Sequence, residues 1–165
     1  MASVYLGLGT NLGDRQANLR IAVDALARLG RLCGQSRLYE TAPLYVTDQP
    51  SFLNMAVALA TTLAPLDLLV RLKELEQELG RVASHRYGPR LIDLDILLYD
   101  DVVLDHPQLT IPHPRLCERR FALAPLADIA GAIVHPQARI TIGRLLAELP
   151  DSADDQVIVA AQSLT

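Results

Sequence analysis

Apolar positions along the chain fall into two periodicities, and together they divide it into alternating strands and helices. Ser3 to Leu8 alternates weakly and is rich in apolar residues, which predicts a first strand. The glycine-rich turn GTNLGD follows, with Asp14 placed to cap a helix in which Leu19, Ala22, Val23, Leu26 and Leu29 recur at helical spacing before Gly30 stops it. That turn lacks the Gly-Lys-Ser/Thr ending of a phosphate loop, so it reads as a tight connection. A second strand is expected from about Gln35 to Thr41, and a third from about Asn54 to Leu63. Between them lies APLYVTDQPSF, a loop of a length that compact domains keep for lids or binding loops. Ala64-Pro65 opens a second helix whose stripe is Leu68, Leu72, Leu75 and Leu79, with Gly80 as its expected end.

The next stretch, RYGPRLIDLDILLYD from Arg86 to Asp100, organises the rest. Leu91, Ile92, Leu94, Ile96, Leu97 and Leu98 read as a buried strand interrupted only by Asp93 and Asp95. Residues two apart on a strand share a face, so these carboxylates are expected to be neighbours. Two such oxygen donors suit Mg²⁺, which takes one or two carboxylates and fills its shell with water and substrate phosphates. The plain alternative is a strand end where both aspartates are simply solvated. Arg81, Arg86 and Arg90 precede the pair within one loop length, and cations beside a metal-ready pair favour a polyphosphate site.

With that strand included, the order is β-α-β-β-α-β. It predicts an α+β, ferredoxin-like core with a mixed or antiparallel sheet and both helices on one face. In TIPHPRLCERRFALAPLADIAG, Pro112 and Pro114 hold the backbone off helical geometry until about Arg115. A short helix from about Leu123 to Ile129 and another near Ile142 to Glu148 are expected to cover the open face, giving α/β/α layers. Residues 151–165 read as a loosely held tail of a single domain spanning 1–165.

Composition narrows the chemistry. The 165 residues carry a net charge of −4, and half are hydrophobic, as in a globular domain with a real core. No basic arm is present, which argues against a nucleic-acid partner while leaving a local basic pocket open. No apolar run reaches the ~20 residues of a membrane span. The N-terminus has no signal-peptide pattern, and Cys33 and Cys117 form neither a disulfide framework nor a zinc site. A cytoplasmic monomer acting on small molecules is expected.

These residues resemble a known family, the 6-hydroxymethyl-7,8-dihydropterin pyrophosphokinases of folate biosynthesis, over roughly residues 4 to 130. The most specific match is Arg86-x-Gly88-Pro89-Arg90-x-x-Asp93-x-Asp95-Ile96-Leu97. It is joined by Gly9-Thr10-Asn11, by Gln49-Pro50 with Phe52-Leu53-Asn54, and by Pro112-His113-Pro114-Arg115 with Glu118-Arg119. The resemblance implies transfer of pyrophosphate from ATP, the co-substrate, to the pterin hydroxymethyl group with release of AMP. By the same resemblance, Asp93 and Asp95 hold two Mg²⁺ ions, and Arg81 and Arg90 close over the phosphates. Glu76, the Ile96 backbone, Thr110, His113, Arg115 and Arg119 would contact ATP. Phe52 and Phe121 would sandwich the pterin, and Thr41, Pro43, Leu44 and Asn54 would line its site. Tyr87, Ala83 and Gln108 depart from residues carried by some members, and the lid is one residue shorter than in some relatives.

Two other readings stay open at this point. A ferredoxin-like two-metal nucleotidyl transferase would also pair aspartates on a strand, but the acidic balance counts against its nucleic-acid groove. A metabolite-binding domain without catalysis leaves the convergence of arginines on a carboxylate pair unexplained.

Overall fold

The computed structural model describes residues 1–41, 51–82, 92–151 and 157–164, with backbone only at 81 and 82. Among them, β1 (Ala2–Thr10) leads through the glycine turn to α1 (Arg15–Leu26). The Asp14 carboxylate caps α1 by accepting the Ala17 N–H at 3.1 Å. Asn18 Nδ2 donates to the Leu12 carbonyl at 2.6 Å and closes the turn as a connection. Next come β2 (Arg31–Gln35), β3 (Leu38–Thr41), β4 (Phe52–Thr61), α2 (Pro65–Val82) and β5 (Asp93–Tyr99). A hairpin follows, β6 (Leu104–His106) and β7 (Leu109–Ile111), then α3 (Arg120–Ala130), α4 (Ile142–Glu148) and β8 (Val157–Ala161).

The main sheet runs β5-β1-β4-β3-β8, with β2 also paired to β4, and each of these pairings is antiparallel. Collapsing β2 and β3 into one interrupted strand gives the split βαβ order that the periodicity predicts. On one face, Val4, Leu6 and Leu8 of β1 and Leu94 and Ile96 of β5 pack against Leu19, Val23 and Leu26 of α1 and Leu68, Leu72, Leu75 and Leu79 of α2. On the other face, Leu97 and Leu98 pack against Leu123 and Leu126 of α3 and Ile142 of α4. The layers are therefore α/β/α.

Several boundaries differ from the sequence expectation. The second strand begins earlier, at Arg31, and is broken at Ser36–Arg37, where the Ser36 hydroxyl takes over a ladder position by accepting the Ala56 N–H at 2.8 Å. α2 continues through Gly80, which keeps helical geometry. α3 starts at Arg120 rather than Leu123, because the Arg119 carbonyl accepts the N–H groups of Ala122 and Leu123. The tail is not loose over 157–161: β8 pairs with β3 from Thr41↔Val157 to Leu38↔Ala161.

His135 sits 4% exposed in the turn before α4, its Nδ1 accepting the N–H groups of Gln137 and Ala138 at 3.2 and 3.0 Å. Burial lowers its pKa from the ordinary 6.5, so the folded protein keeps the ring neutral. The unfolded chain takes up the proton first as pH falls through 6.5, and stability is lost in that direction. The shift of His113 has the same sign. The urea midpoint is expected to be lower at about pH 5.5 than at about pH 7.5. His135→Asn, which retains an acceptor for both N–H groups, should flatten that dependence. Identical pH slopes in the two proteins would exclude His135 as a contributor.

Candidate active site

A row of residues crosses four strands on the sheet face turned away from α1 and α2. Asp93 of β5 stands opposite Gly9 of β1, Gly9 opposite Asn54 of β4, and Asn54 opposite Tyr39 of β3. Flanking pairs lie on the same face, Asp95 opposite Gly7 on one side and Phe52 opposite Thr41 on the other. Directly paired residues of an antiparallel ladder point the same way. The two aspartates therefore share a face, as period-two spacing predicts, and that face also carries Asn54, Phe52 and Thr41. Asp95 is exposed and Asp93 is half-buried.

Asn54 is 7% exposed, and its Nδ2 donates to the Thr41 hydroxyl at 2.9 Å. That bond fixes which way the carboxamide faces. Its Oδ1 lies over Gly9, where a Cβ would stand 2.8 Å away. Gly9 is thus a further candidate site residue, and the sequence carries a signal for it. Glycines at alternate positions in a strand interior, here Gly7 and Gly9, mark a close approach by another group.

A β-bulge delivers the next residue. Ladder partners shift between Tyr5 and Leu6, which face Leu98 and Ile96, so Leu97 is the extra residue. The Leu97 carbonyl accepts the His113 N–H at 3.0 Å, tying the proline-flanked segment to the strand two residues beyond Asp95. Burial lowers the His113 pKa; the Asp95 charge opposes this, and Arg119 and Arg115 reinforce it. One carboxylate, one imidazole and two guanidiniums thus share a neighbourhood. His113 Nδ1 accepts the Arg115 N–H at 3.2 Å, which leaves Nε2 as the protonated nitrogen of the neutral ring. Arg119 lies over the Phe121 ring at 5.4 Å. Arg115 is engaged by Glu118 at 2.8 Å in an exposed pair, the kind worth little to stability.

Glu76 reaches back from α2. Its side chain is 8% exposed, pairs with Lys73 at 3.1 Å and accepts the Leu94 N–H at 2.9 Å. It therefore grips the residue between the two aspartates. The Ile96 side chain is in the core, and Thr110 is half-buried on β7. Pro43, Leu44, Arg90 and the Arg81 side chain lie outside the described residues.

Among the described residues, no third His, Cys, Asp or Glu completes a metal cluster with Asp93 and Asp95. Two carboxylates on an open face fit Mg²⁺ held jointly with phosphate and water, rather than an ion caged by protein alone.

Residues 5–131 match the family described as 7,8-dihydro-6-hydroxymethylpterin-pyrophosphokinase. The chain belongs to that family. It is 47% identical over 148 residues to the 2-amino-4-hydroxy-6-hydroxymethyldihydropteridine pyrophosphokinase of Pseudomonas aeruginosa, covering 88% of each chain. It is also 50% identical over 133 residues to the mitochondrial folate synthesis bifunctional protein of Arabidopsis thaliana, covering 79% of this chain and 24% of that one. The match to a folic acid synthesis protein of Dictyostelium discoideum spans 23% of its length, so this chain corresponds to about a quarter of such relatives. In fold, it superimposes on wild-type Plasmodium falciparum HPPK-DHPS with pteroate at a TM-score of 0.74 and 21% identity, covering 89% of this chain and 42% of that one. That likeness agrees with the ferredoxin-like core. Among the described residues, no helix is long and apolar enough to cross a membrane.

Proposed function

We propose that this chain transfers a pyrophosphoryl group from ATP to the hydroxymethyl oxygen of 6-hydroxymethyl-7,8-dihydropterin, releasing AMP, as a cytoplasmic step of folate biosynthesis. The observation that carries this reading is the shared sheet face, with a carboxylate pair at one end and a polar-aromatic set, Asn54, Thr41 and Phe52, at the other. A triphosphate held at Asp93 and Asp95 meets a flat heterocycle held at Asn54 across the width of two strand spacings, about 10 Å.

The attacking hydroxymethyl oxygen forms a bond to the β-phosphorus. The bond from that phosphorus to the oxygen shared with the α-phosphate breaks, and AMP departs with that oxygen. The hydroxyl proton passes to a carboxylate, a role open to Asp93 or Asp95. These two would hold Mg²⁺, two ions by resemblance to the family, which when bound neutralises the triphosphate and acidifies the hydroxyl. His113 donates through Nε2, while Arg119 and Arg115 supply positive charge. Arg81 and Arg90 close over the phosphates, where a planar fork suits phosphate oxygens better than an ammonium does. Glu76 acts from behind the strand by fixing Leu94, and the Ile96 backbone and Thr110 border the adenosine. Phe52 and Phe121 offer ring faces to the pterin. The Asn54 carboxamide, together with Thr41, Pro43 and Leu44, reads its polar edge.

Product analysis tests the reading. With ATP, Mg²⁺ and the pterin alcohol, AMP and the pterin pyrophosphate ester should form in equal amounts, and neither should form without the pterin. Release of ADP or inorganic pyrophosphate would point to a different transfer.

A further inference from the structure

We propose that Asp128, held by Arg37 and Tyr39, is a positioning residue that sets the spacing of the pterin site by locking α3 onto β3. This rests on the reading of Phe121, Asn54 and Thr41 as pterin contacts.

Four donor groups converge on one carboxylate, three N–H groups of Arg37 and the Tyr39 hydroxyl. Arg37 donates to Asp128 from its backbone N–H at 3.1 Å, from Nε at 3.1 Å and from Nη2 at 2.9 Å. The Tyr39 hydroxyl lies 2.9 Å from both Asp128 oxygens and accepts from Arg37 Nη2 at 2.8 Å. The Arg37 guanidinium also lies over the Tyr39 ring at 5.4 Å. Burial alone would raise the Asp128 pKa, but the bonds from Arg37 and Tyr39 and the Arg37 charge hold it below the usual range. Burial first, then the contact with Asp128, pushes the Tyr39 hydroxyl up to about 12. Asp128 thus stays an acceptor and Tyr39 a donor across the working pH range.

The break in the second strand makes this arrangement possible. With Ser36 bonded to Ala56 through both its hydroxyl and its N–H, the Arg37 N–H leaves the ladder and turns to Asp128. The connection to the site is short on both sides. Tyr39 is the ladder partner of Asn54, and Thr41, two residues along on the same face, holds the Asn54 carboxamide. Asp128 and Phe121 are seven residues apart on α3, two turns along one helix face. Asp128 therefore fixes the helix that carries one proposed aromatic wall against the strand that carries the polar edge contacts. A surface ion pair worth only tenths of a kcal/mol would not require an interrupted strand and a buried phenol.

Steady-state kinetics on Asp128→Asn, Asp128→Glu, Tyr39→Phe, Phe121→Ala and the Asp128→Asn/Phe121→Ala double variant, with melting temperatures, test the proposal. Asp128→Asn should raise the KM for the pterin about tenfold while the ATP KM moves less than about twofold. Tyr39→Phe should do the same to a smaller extent, and Asp128→Glu should recover part of the loss. In the Phe121→Ala background the added effect of Asp128→Asn should largely vanish, since the two act through one wall. If melting temperature falls while both KM values hold, or if both KM values rise together, Asp128 is structural only and the proposal is overturned. If Phe121→Ala leaves the pterin KM unchanged, the assignment of the pterin wall fails instead, whatever Asp128 does.

Discussion

Asp95→Asn is expected to abolish turnover while leaving the fold intact. The expected loss is ~10³-fold or more in kcat, because even partners that merely orient a metal ligand contribute 10- to 100-fold, and this change removes a carboxylate proposed to be a ligand itself. Asparagine matches the shape of aspartate but carries no charge, so the negative field that would draw Mg²⁺ and its triphosphate to β5 is halved. Stability should move the other way. Asp95 is exposed and lies two residues from Asp93 on one face, and removing one of two like charges relieves repulsion. The melting temperature should therefore hold or rise slightly. This opposition of signs separates a catalytic from a structural role. Turnover retained within about tenfold, or a loss that tracks unfolding, would exclude the carboxylate pair as the centre of the chemistry.

What could be read from sequence was mainly what local chemistry decides. Asp14 as a cap, the leucine stripe of α2 and the shared face of Asp93 and Asp95 follow from spacing along a single element. The structure places each of them accordingly. Features that depend on pairing between distant segments were not legible. Nothing in the residues Gln35-Ser36-Arg37 announces a strand break, because the group that receives the released N–H is Asp128, 91 positions away. The five residues of β8 are mostly exposed, and they become a strand only because β3 offers an open edge. The β6–β7 hairpin has strands of three residues each, too short for alternation to register. Within the candidate site, Phe52, Asn54, His113 and Arg119 are proposed on family motifs that the sequence carries. Their arrangement was not legible. The placement of Gly9 between Asp93 and Asn54 is a fact of strand register, and register becomes visible only once β1 is seen between β4 and β5.

That placement leads to a second large effect, Gly9→Ala. A methyl group at position 9 would stand 2.8 Å from Asn54 Oδ1, closer than real Cβ contacts come, and 4.0 Å from Phe52 Cδ1. Gly9 has no positive φ, so the backbone accepts alanine and the clash must be relieved by side chains. Asn54 is the one able to move. Turning its carboxamide breaks the 2.9 Å bond to Thr41 and misdirects the donor and acceptor proposed to read the pterin. Losing one well-placed hydrogen bond to a bound ligand, with a buried polar group left unmatched, costs about 1–3 kcal/mol, or roughly 5- to 150-fold in the pterin KM. The ATP KM should stay within about twofold, since Asp93, Asp95 and His113 are untouched. Because alanine acts by displacing Asn54, adding Gly9→Ala to Asn54→Ala should cost almost nothing further. Full additivity in that double variant would mean that the glycine matters for some reason other than the room it leaves for Asn54.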